Sequence, residues 1–223
     1  MSAKLDAKTE SPTNLSWRID NWFNDIPADQ SDKLKKIDSL IKLHNKTVNL
    51  ISAKTLPLAD VIHFSDSIIA IRALVSDNPG VDTLHCLLGG SGFPALVASV
   101  LYPKIKVIVI EPDQKKCDFL KMVSSDCGLP NLEIRQGTIE SIKEGTAKCS
   151  VVRGVANISK IILAARKCTA PKGVLYHMKG EQWSLEVGEI PTQLCSIWEP
   201  SLVKEYRLPV GEVRFALIKT VKI

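Results

Sequence analysis

Apolar positions along the chain change their period near residue 80. Before it they recur at helix-like steps. Leu34, Ile37, Ile41 and Val48 follow a Ser31-Asp32 cap signal, and beyond the break at Pro57 the residues Val61, Phe64, Ile68 and Ile71 return every three or four positions. Residues 15–23, with Trp17 and Trp22, precede these two helices. Residues 14–78 therefore read as a small helical unit whose Trp and Ile stripes are core. The first 13 residues are polar, reach a loop signal at Ser11-Pro12-Thr13-Asn14, and are expected to be loose.

From Thr83 onward short apolar runs alternate with helical stretches, the pattern of βαβ units around a parallel sheet. Strands are predicted over 83–88, 106–110, 132–134, 150–152 and 174–178. Helices are predicted over 94–101, over 113–127 with Gly128 as the cap, and over 159–168. Two more strands, 202–208 and 214–221, flank Pro209-Val210-Gly211-Glu212 as a hairpin, which gives the sheet an antiparallel edge. The fold class is α/β, with no internal repeat, and the second unit spans 79–223.

Composition narrows the class further. A chain of 223 residues with 45% apolar and 24% charged positions can bury a full core, which excludes disorder, collagen-like and low-complexity structure. No uncharged apolar stretch approaches the roughly 18 residues of a membrane helix, and the opening Met1 to Asp6 is too polar for a signal peptide. A cytoplasmic protein without a membrane partner is expected. The six cysteines, at positions 86, 117, 127, 149, 168 and 195, form no C-x-x-C pair. They read as reduced, mostly buried thiols, and no metal site is expected.

The formal net charge of +5 is unevenly placed. Residues 1–78 carry ten Lys/Arg against ten Asp/Glu, so the remaining 19 basic and 14 acidic residues hold the whole excess. Within 145–180 stand Lys148, Arg153, Lys160, Arg166, Lys167, Lys172 and Lys179 without one acid. Such a stretch suits a surface that faces phosphates, since each neutralised phosphate releases counterions. Spaced cations on ordinary solvated helix faces would give the same pattern.

The candidate chemistry begins where the first strand runs into Gly89-Gly90-Ser91-Gly92-Phe93-Pro94. Glycines there let backbone N–H groups approach a ligand, although a plain tight turn would look alike. Glu111 closes the second strand 22 residues after Gly89, near the spacing at which an acid meets a ribose hydroxyl pair. A helix N-terminal acid is the plainer reading of Glu111. Dinucleotides and S-adenosylmethionine both fit a glycine turn with a strand-end acid. The glycines do not fall at the two- and three-residue intervals of G-x-G-x-x-G, and a terminal antiparallel hairpin suits a methyltransferase sheet better than a dehydrogenase sheet.

At these residues the sequence resembles the bacterial small-subunit ribosomal RNA methyltransferase G family, also called glucose-inhibited division protein B. The resemblance runs from about Leu40 to the C-terminus. It rests on Asn45 to Ser52, His63-Phe64-Ser65-Asp66-Ser67, Gly-Ser-Gly-Phe-Pro at 90–94, and Glu111 with Lys115-Lys116 and Phe119-Leu120. It continues through Gly137-Thr138-Ile139-Glu140, Arg153-Gly154-Val155-Ala156, and Pro171-Lys172-Gly173 leading to Met178-Lys179-Gly180. What the resemblance implies is a Rossmann-like domain that uses S-adenosylmethionine to methylate N7 of a guanosine in small-subunit (16S) rRNA, free or in an assembling 30S subunit, with a monomer as the default.

Carried over by residue, Gly89, Gly90, Gly92 and Phe93 would wall the methionine and ribose end of the cofactor, and Glu111 would hold the ribose hydroxyls. Ile139 and Glu140 would lie beside the adenine. Arg153 would position the reactants at the cofactor pocket and guanine entry, with no acid/base pair needed because guanine N7 carries a free lone pair. Lys179 and Arg214 would contact RNA phosphate, joined by Arg166, Lys167 and Lys172 of the basic stretch. His63 and Asp66, three apart on one helix face, fit either the mouth of the guanine pocket or a contact between elements. His44, His85 and His177 read as structural.

Three places depart from the family. Cys86 stands where an acid is usual and Leu88 where the first glycine is usual, and Thr138-Ile139 replaces an Arg-Ala pair. Alternatives therefore stay open: a family member with weak or no cofactor use that survives as an rRNA-binding or regulatory module, a small-molecule methyltransferase, or, least favoured, a dehydrogenase.

Overall fold

The computed structural model describes residues 17–154 and 156–223. The expected loose segment 1–13 with its loop signal, Leu15, and Val155 lie outside the described residues. Helices α1 (Ile19–Trp22), α2 (Ala28–Val48) and α3 (Asp66–Asp77) lead into the sheet, with a 3-10 turn at Leu56–Leu58 and a π turn at Asp60–Ser65 ahead of α3. Then come β1 (Thr83–Leu87), α4 (Ala95–Leu101), β2 (Lys106–Glu111), α5 (Gln114–Asp126), β3 (Leu132–Gln136) and β4 (Ala147–Arg153). The chain finishes with α6 (Ile158–Ala165), β5 (Thr169–Lys179), α7 (Trp183–Gly188), α8 (Thr192–Cys195), β6 (Trp198–Arg207) and β7 (Arg214–Lys222). No helix among the described residues is long and apolar enough to cross a membrane.

The seven strands form one sheet in the order β3-β2-β1-β4-β5-β7-β6. β1 to β5 are parallel, and the hairpin pairs β7 antiparallel to both β5 and β6. Every predicted strand is present, most of them longer by a few residues. From β1 the chain builds outward on one side to β2 and β3, then returns to add β4 on the other. That reversal opens a crevice at the C-terminal ends of β1 and β4, where open α/β sheets take their ligands.

Both faces of the central strands are covered, which is why β2 reads as an apolar run over 107–110 and why β1 and β4 are buried through their middles, His85 and Ser150 included. Successive side chains alternate between two layers. Cys86, Val107, Val109 and Val151 join Leu34, Ile37, Ile41, Phe64 and Ile68 of the helical unit in one cluster. Leu87, Ile108, Ile110 and Val152 join Ile158, Ile161, Ile162 and Trp198 in the other. The helical unit thus forms one face of the sheet's own core. Five of the six cysteines are buried and Cys195 is exposed.

The predicted start of the long helix is corrected. α2 begins at Ala28 after Pro27, one turn before the Ser31-Asp32 signal. The Ser31 hydroxyl donates to Asp20 instead of capping, since Pro27 already supplies the extended entry. Asp113 does cap α5, accepting from the Lys115 and Lys116 N–H groups at 2.8 and 3.2 Å. Gly128 follows α5 at φ +59°, the left-handed exit that glycine serves. α7 and α8 have no counterpart in the predicted elements: at six and four residues they are too short for a periodic signal.

Candidate active site

A cavity of about 630 Å³ opens at the C-terminal ends of the parallel strands. Its first wall is the turn after β1. The Gly90 N–H donates to Glu111 Oε2 at 2.6 Å and the Asp113 N–H to Oε1 at 3.0 Å. The buried carboxylate at the end of β2 is therefore held by backbone on both oxygens, and about half of its acceptor positions stay open. Gly90, at φ +50°, has room for a Cβ but not the backbone for one. Gly89 and Gly92 have a packing role: a Cβ would meet Val109 at 2.2 Å in the first case and Leu96 at 2.5 Å in the second. Leu88 lines the cavity at φ +56°. The turn thus keeps the left-handed shape that a glycine would supply, at a cost of about 1–2 kcal/mol.

The second wall comes from the helical unit. Asn45 folds the chain back after α2: its Oδ1 accepts from the Leu50 and Ile51 N–H groups at 3.0 and 2.9 Å, and its Nδ2 donates to Ile51 O at 2.9 Å. This presents Leu50, Ile51, Ser52 and Thr55 to the cavity. Facing them, Arg153 at the end of β4 donates from Nε to Asp66 Oδ2 (2.7 Å), from Nη1 to His63 Nδ1 (2.9 Å) and from Nη2 to the Ile62 carbonyl (2.8 Å). The Tyr206 hydroxyl donates to the other Asp66 oxygen at 2.7 Å. Both groups are buried, and burial first, with that carboxylate second, pushes the phenol pKa up.

His63 has one consistent protonation. Arginine only donates, so Nδ1 accepts and Nε2–H points to Thr55 Oγ1 at 3.1 Å. Burial first, and the neighbouring Arg153 cation second, pull the His63 pKa down to about 3. The ring is neutral, and it stacks on Phe93 with centroids 5.3 Å apart.

The third wall holds Lys179, at the end of β5. Its ammonium donates to the Ala156 carbonyl at 2.5 Å and pairs with Glu186 of α7 at 2.7 Å. The same Glu186 oxygen accepts from the Ile158 N–H at 3.1 Å, where α6 begins.

Of the sequence-predicted residues, Gly89, Gly90, Phe93, Glu111, Arg153, His63, Asp66 and Lys179 line this one cavity. The others do not. Gly92 lies beneath the turn, packed against Leu96 and Leu120. Ile139 is buried in the second core layer, because its short 3-10 turn presses it against the sheet. Glu140 is exposed, with its own backbone N–H and Thr138 holding its carboxyl pKa down. Arg214 is exposed at the start of β7, next to Phe215, which lines the cavity.

Arg166, Lys167 and Lys172 are exposed at the start of β5, the opposite end of the sheet from Lys179. By its register with β4, in which Thr169 pairs Ala147 and Met178 pairs Arg153, β5 separates these ends by roughly 23 Å at about 3.3 Å per residue. The acid-free stretch therefore does not make one surface, because the parallel strands carry it from one end of the sheet to the other. Tyr206 and Glu186 were not singled out in the sequence, and Lys116, quoted there without a role, lines the cavity from the first turn of α5. The Asn45 to Ser52 segment was a signal for the second wall. Nothing local marks Tyr206 or Glu186, whose partners lie far away in sequence.

The model of the family described as rRNA small subunit methyltransferase G (GidB) matches residues 30–204. The chain belongs to this family. A methyltransferase G relative from Bdellovibrio bacteriovorus, "Ribosomal RNA small subunit methyltransferase G 3", is 46% identical over 218 residues, 98% of this chain and 99% of its own. The methyltransferase G of Halorhodospira halophila is 28% identical over 204 residues, 92% of this chain and 94% of its own. Among solved structures, the YcgJ protein of Bacillus subtilis superimposes with a TM-score of 0.55 at 11% identity, over 72% of this chain and 99% of that one, a likeness of fold. The methyltransferase G fold in this chain is the Rossmann-like sheet with an antiparallel end.

Proposed function

We propose that the chain transfers a methyl group from S-adenosylmethionine to N7 of a guanosine in small-subunit rRNA, and that the cavity below Glu111 and Arg153 receives both reactants. The observation that carries this reading is Glu111, a buried carboxylate fixed by two backbone N–H groups at a strand end, with acceptor positions still open toward the cavity. A volume of about 630 Å³ suits an adenosyl ligand, small-molecule sites commonly spanning about 300–1,000 Å³. Leu88 supports an active member over a binding module, since it takes the backbone conformation of the glycine it replaces.

The cofactor supplies an electrophilic methyl on a sulfonium. The protein's residues orient and do not move protons, since guanine N7 attacks with a free lone pair. Holding reactants in a near-attack arrangement is worth up to about 7–11 kcal/mol. Glu111 serves the ribose hydroxyls, and Gly90 with Phe93 shapes the adjoining wall. Arg153, with three of its five N–H groups committed to Asp66, His63 and Ile62, is a rigid donor at the cavity. His63, neutral throughout the working pH range, adds no charge beside the reacting centre. Lys116 and Arg214 lie at or beside the mouth, where rRNA phosphates would pass. The target base must be unstacked to enter. On this reading the chain works as a cytoplasmic monomer.

The test is methyl transfer to purified small subunits and to their free rRNA. N7-methylguanosine is reduced by borohydride and the strand then cleaves in aniline, so a single scission site is the expected product. Methyl incorporation without scission would place the methyl elsewhere.

A further inference from the structure

The three cations that line the cavity are not alike. Arg153 is paired with Asp66, which also lines the cavity, whereas Lys116 lines it from the same strand-to-helix turn as Glu111. That leaves Lys179, and its partner comes from outside: Glu186 stands on α7, in the connection between β5 and β6, and does not line the cavity. Counted by lining residues, the cavity holds three cations, two carboxylates and the neutral His63. Glu186 brings that balance to zero.

We propose that Glu186 is the charge-compensating residue of the cofactor site, which lets the cavity accept a cationic sulfonium as readily as the uncharged thioether left after transfer. The proposal rests on the reading of the cavity given above. S-adenosylmethionine and S-adenosylhomocysteine share the adenosine and the amino-acid zwitterion, and differ by a methyl and one positive charge at sulfur. When the methyl passes to guanine N7, the sulfur–carbon bond breaks, its electron pair stays on sulfur, and the positive charge moves to the purine ring. The cavity must therefore hold one extra positive charge from substrate binding to product release. An uncompensated Lys179 would oppose that charge, and its side chain is only 9% exposed, so solvent and salt screen it little.

Glu186 is well held for this task. One of its oxygens takes both the Lys179 ammonium and the Ile158 N–H, which fixes the carboxylate against the loop that follows β4. Trp183, on the same helix, donates from Nε1 to Glu205 of β6 at 3.0 Å and ties α7 to the sheet edge.

The experiment is calorimetric titration of the full chain with each adenosyl ligand. Glu186→Gln keeps an acceptor for Lys179 and Ile158 and removes only the charge. It should weaken S-adenosylmethionine by about 3- to 10-fold, as expected for one nearby charge in a medium well above a dry interior in polarity, and leave S-adenosylhomocysteine within about 2-fold. Adding Lys179→Met to Glu186→Gln restores neutrality and should return the ratio of the two affinities toward that of the native chain. An equal change for both ligands, or none, overturns the proposal, as does a ratio that the second substitution fails to restore. A native chain that binds neither ligand overturns the reading of the cavity as well, so the two failures are distinguishable.

Discussion

Lys172 and Lys179 stand seven residues apart on β5 and belong to the same acid-free stretch, yet the two ends of the strand use them differently. Lys172 is exposed, at φ +59° in the irregular start of β5 where the register with β4 shifts. Lys179 is nearly enclosed, and both its partners are fixed by other elements. The same contrast separates Arg166, exposed with its guanidinium on the Leu163 carbonyl, from Arg153, whose three bonds join β4 to the helical unit. A run of like charges in sequence therefore predicts a charged surface only where the fold keeps the run on one side. Here the strands are long enough to divide it between a built site and plain solvated surface.

Breaking the built end should have the largest effect. Arg153→Ala leaves Asp66 buried without its cation and strips His63 of its donor, so stability should fall by about 3–5 kcal/mol. Denaturant titration reads that loss. In the folded fraction, methyl transfer should drop by two orders of magnitude or more, whereas Arg166→Ala should change either quantity little.

Acid should reach the built end as well. The folded chain keeps His63 and His177 neutral with pKa values near 3, mainly through burial, while an unfolded imidazole protonates near 6.5. Between those values the unfolded state binds more protons. The stability these residues carry is thus complete above about pH 6.5 and is lost as pH falls toward 3, by several kcal/mol in all. His63→Gln should flatten that dependence in melting curves taken across the window. An unchanged slope would mean that His63 is already charged in the folded chain.

Leu88 sharpens the comparison inside the cavity. Leu88→Gly removes the side chain from the lining and relieves the strained backbone, at the expense of packing against the second core layer. S-adenosylmethionine should bind several-fold more tightly to this variant, with a small net change in melting temperature. The smallest effect is expected at the far end. Triple reversal of Arg166, Lys167 and Lys172 to Glu should alter KM for small subunits by less than about 3-fold at physiological salt, and reversal of Arg214 should alter it more.

The order of elements was legible in the sequence because period and turn chemistry agree over most of the chain. Buried parallel strands read as apolar runs, and Asp113, Gly128 and the 209–212 turn mark their boundaries. The glycine turn and Glu111 were legible for the same reason, being local and closely spaced. Failures have physical causes. The Ser31-Asp32 signal competes with Pro27, and the proline wins. Gly92 and the Ile139 side chain have the residue types of a ligand wall but do not line the cavity and pack inward, which only the contacts of Leu96, Leu120 and the second core layer reveal. Tyr206 meets Asp66 across 140 residues and Glu186 meets Lys179 from a six-residue helix, separations at which no local pattern can form.

The occupant of the cavity under Glu111 decides what this protein does. Melting curves with S-adenosylmethionine, S-adenosylhomocysteine and NAD, for the native chain and for Glu111→Ala, test this directly. A ligand at 100 times its dissociation constant stabilises by about 2.7 kcal/mol. For a chain of this size that is a shift of about 5–11 °C, expected with both adenosyl ligands, absent with NAD, and largely erased in Glu111→Ala. No shift with either adenosyl ligand at millimolar concentration, or the same shift with and without the Glu111 carboxylate, would contradict the assignment of this cavity as the cofactor site.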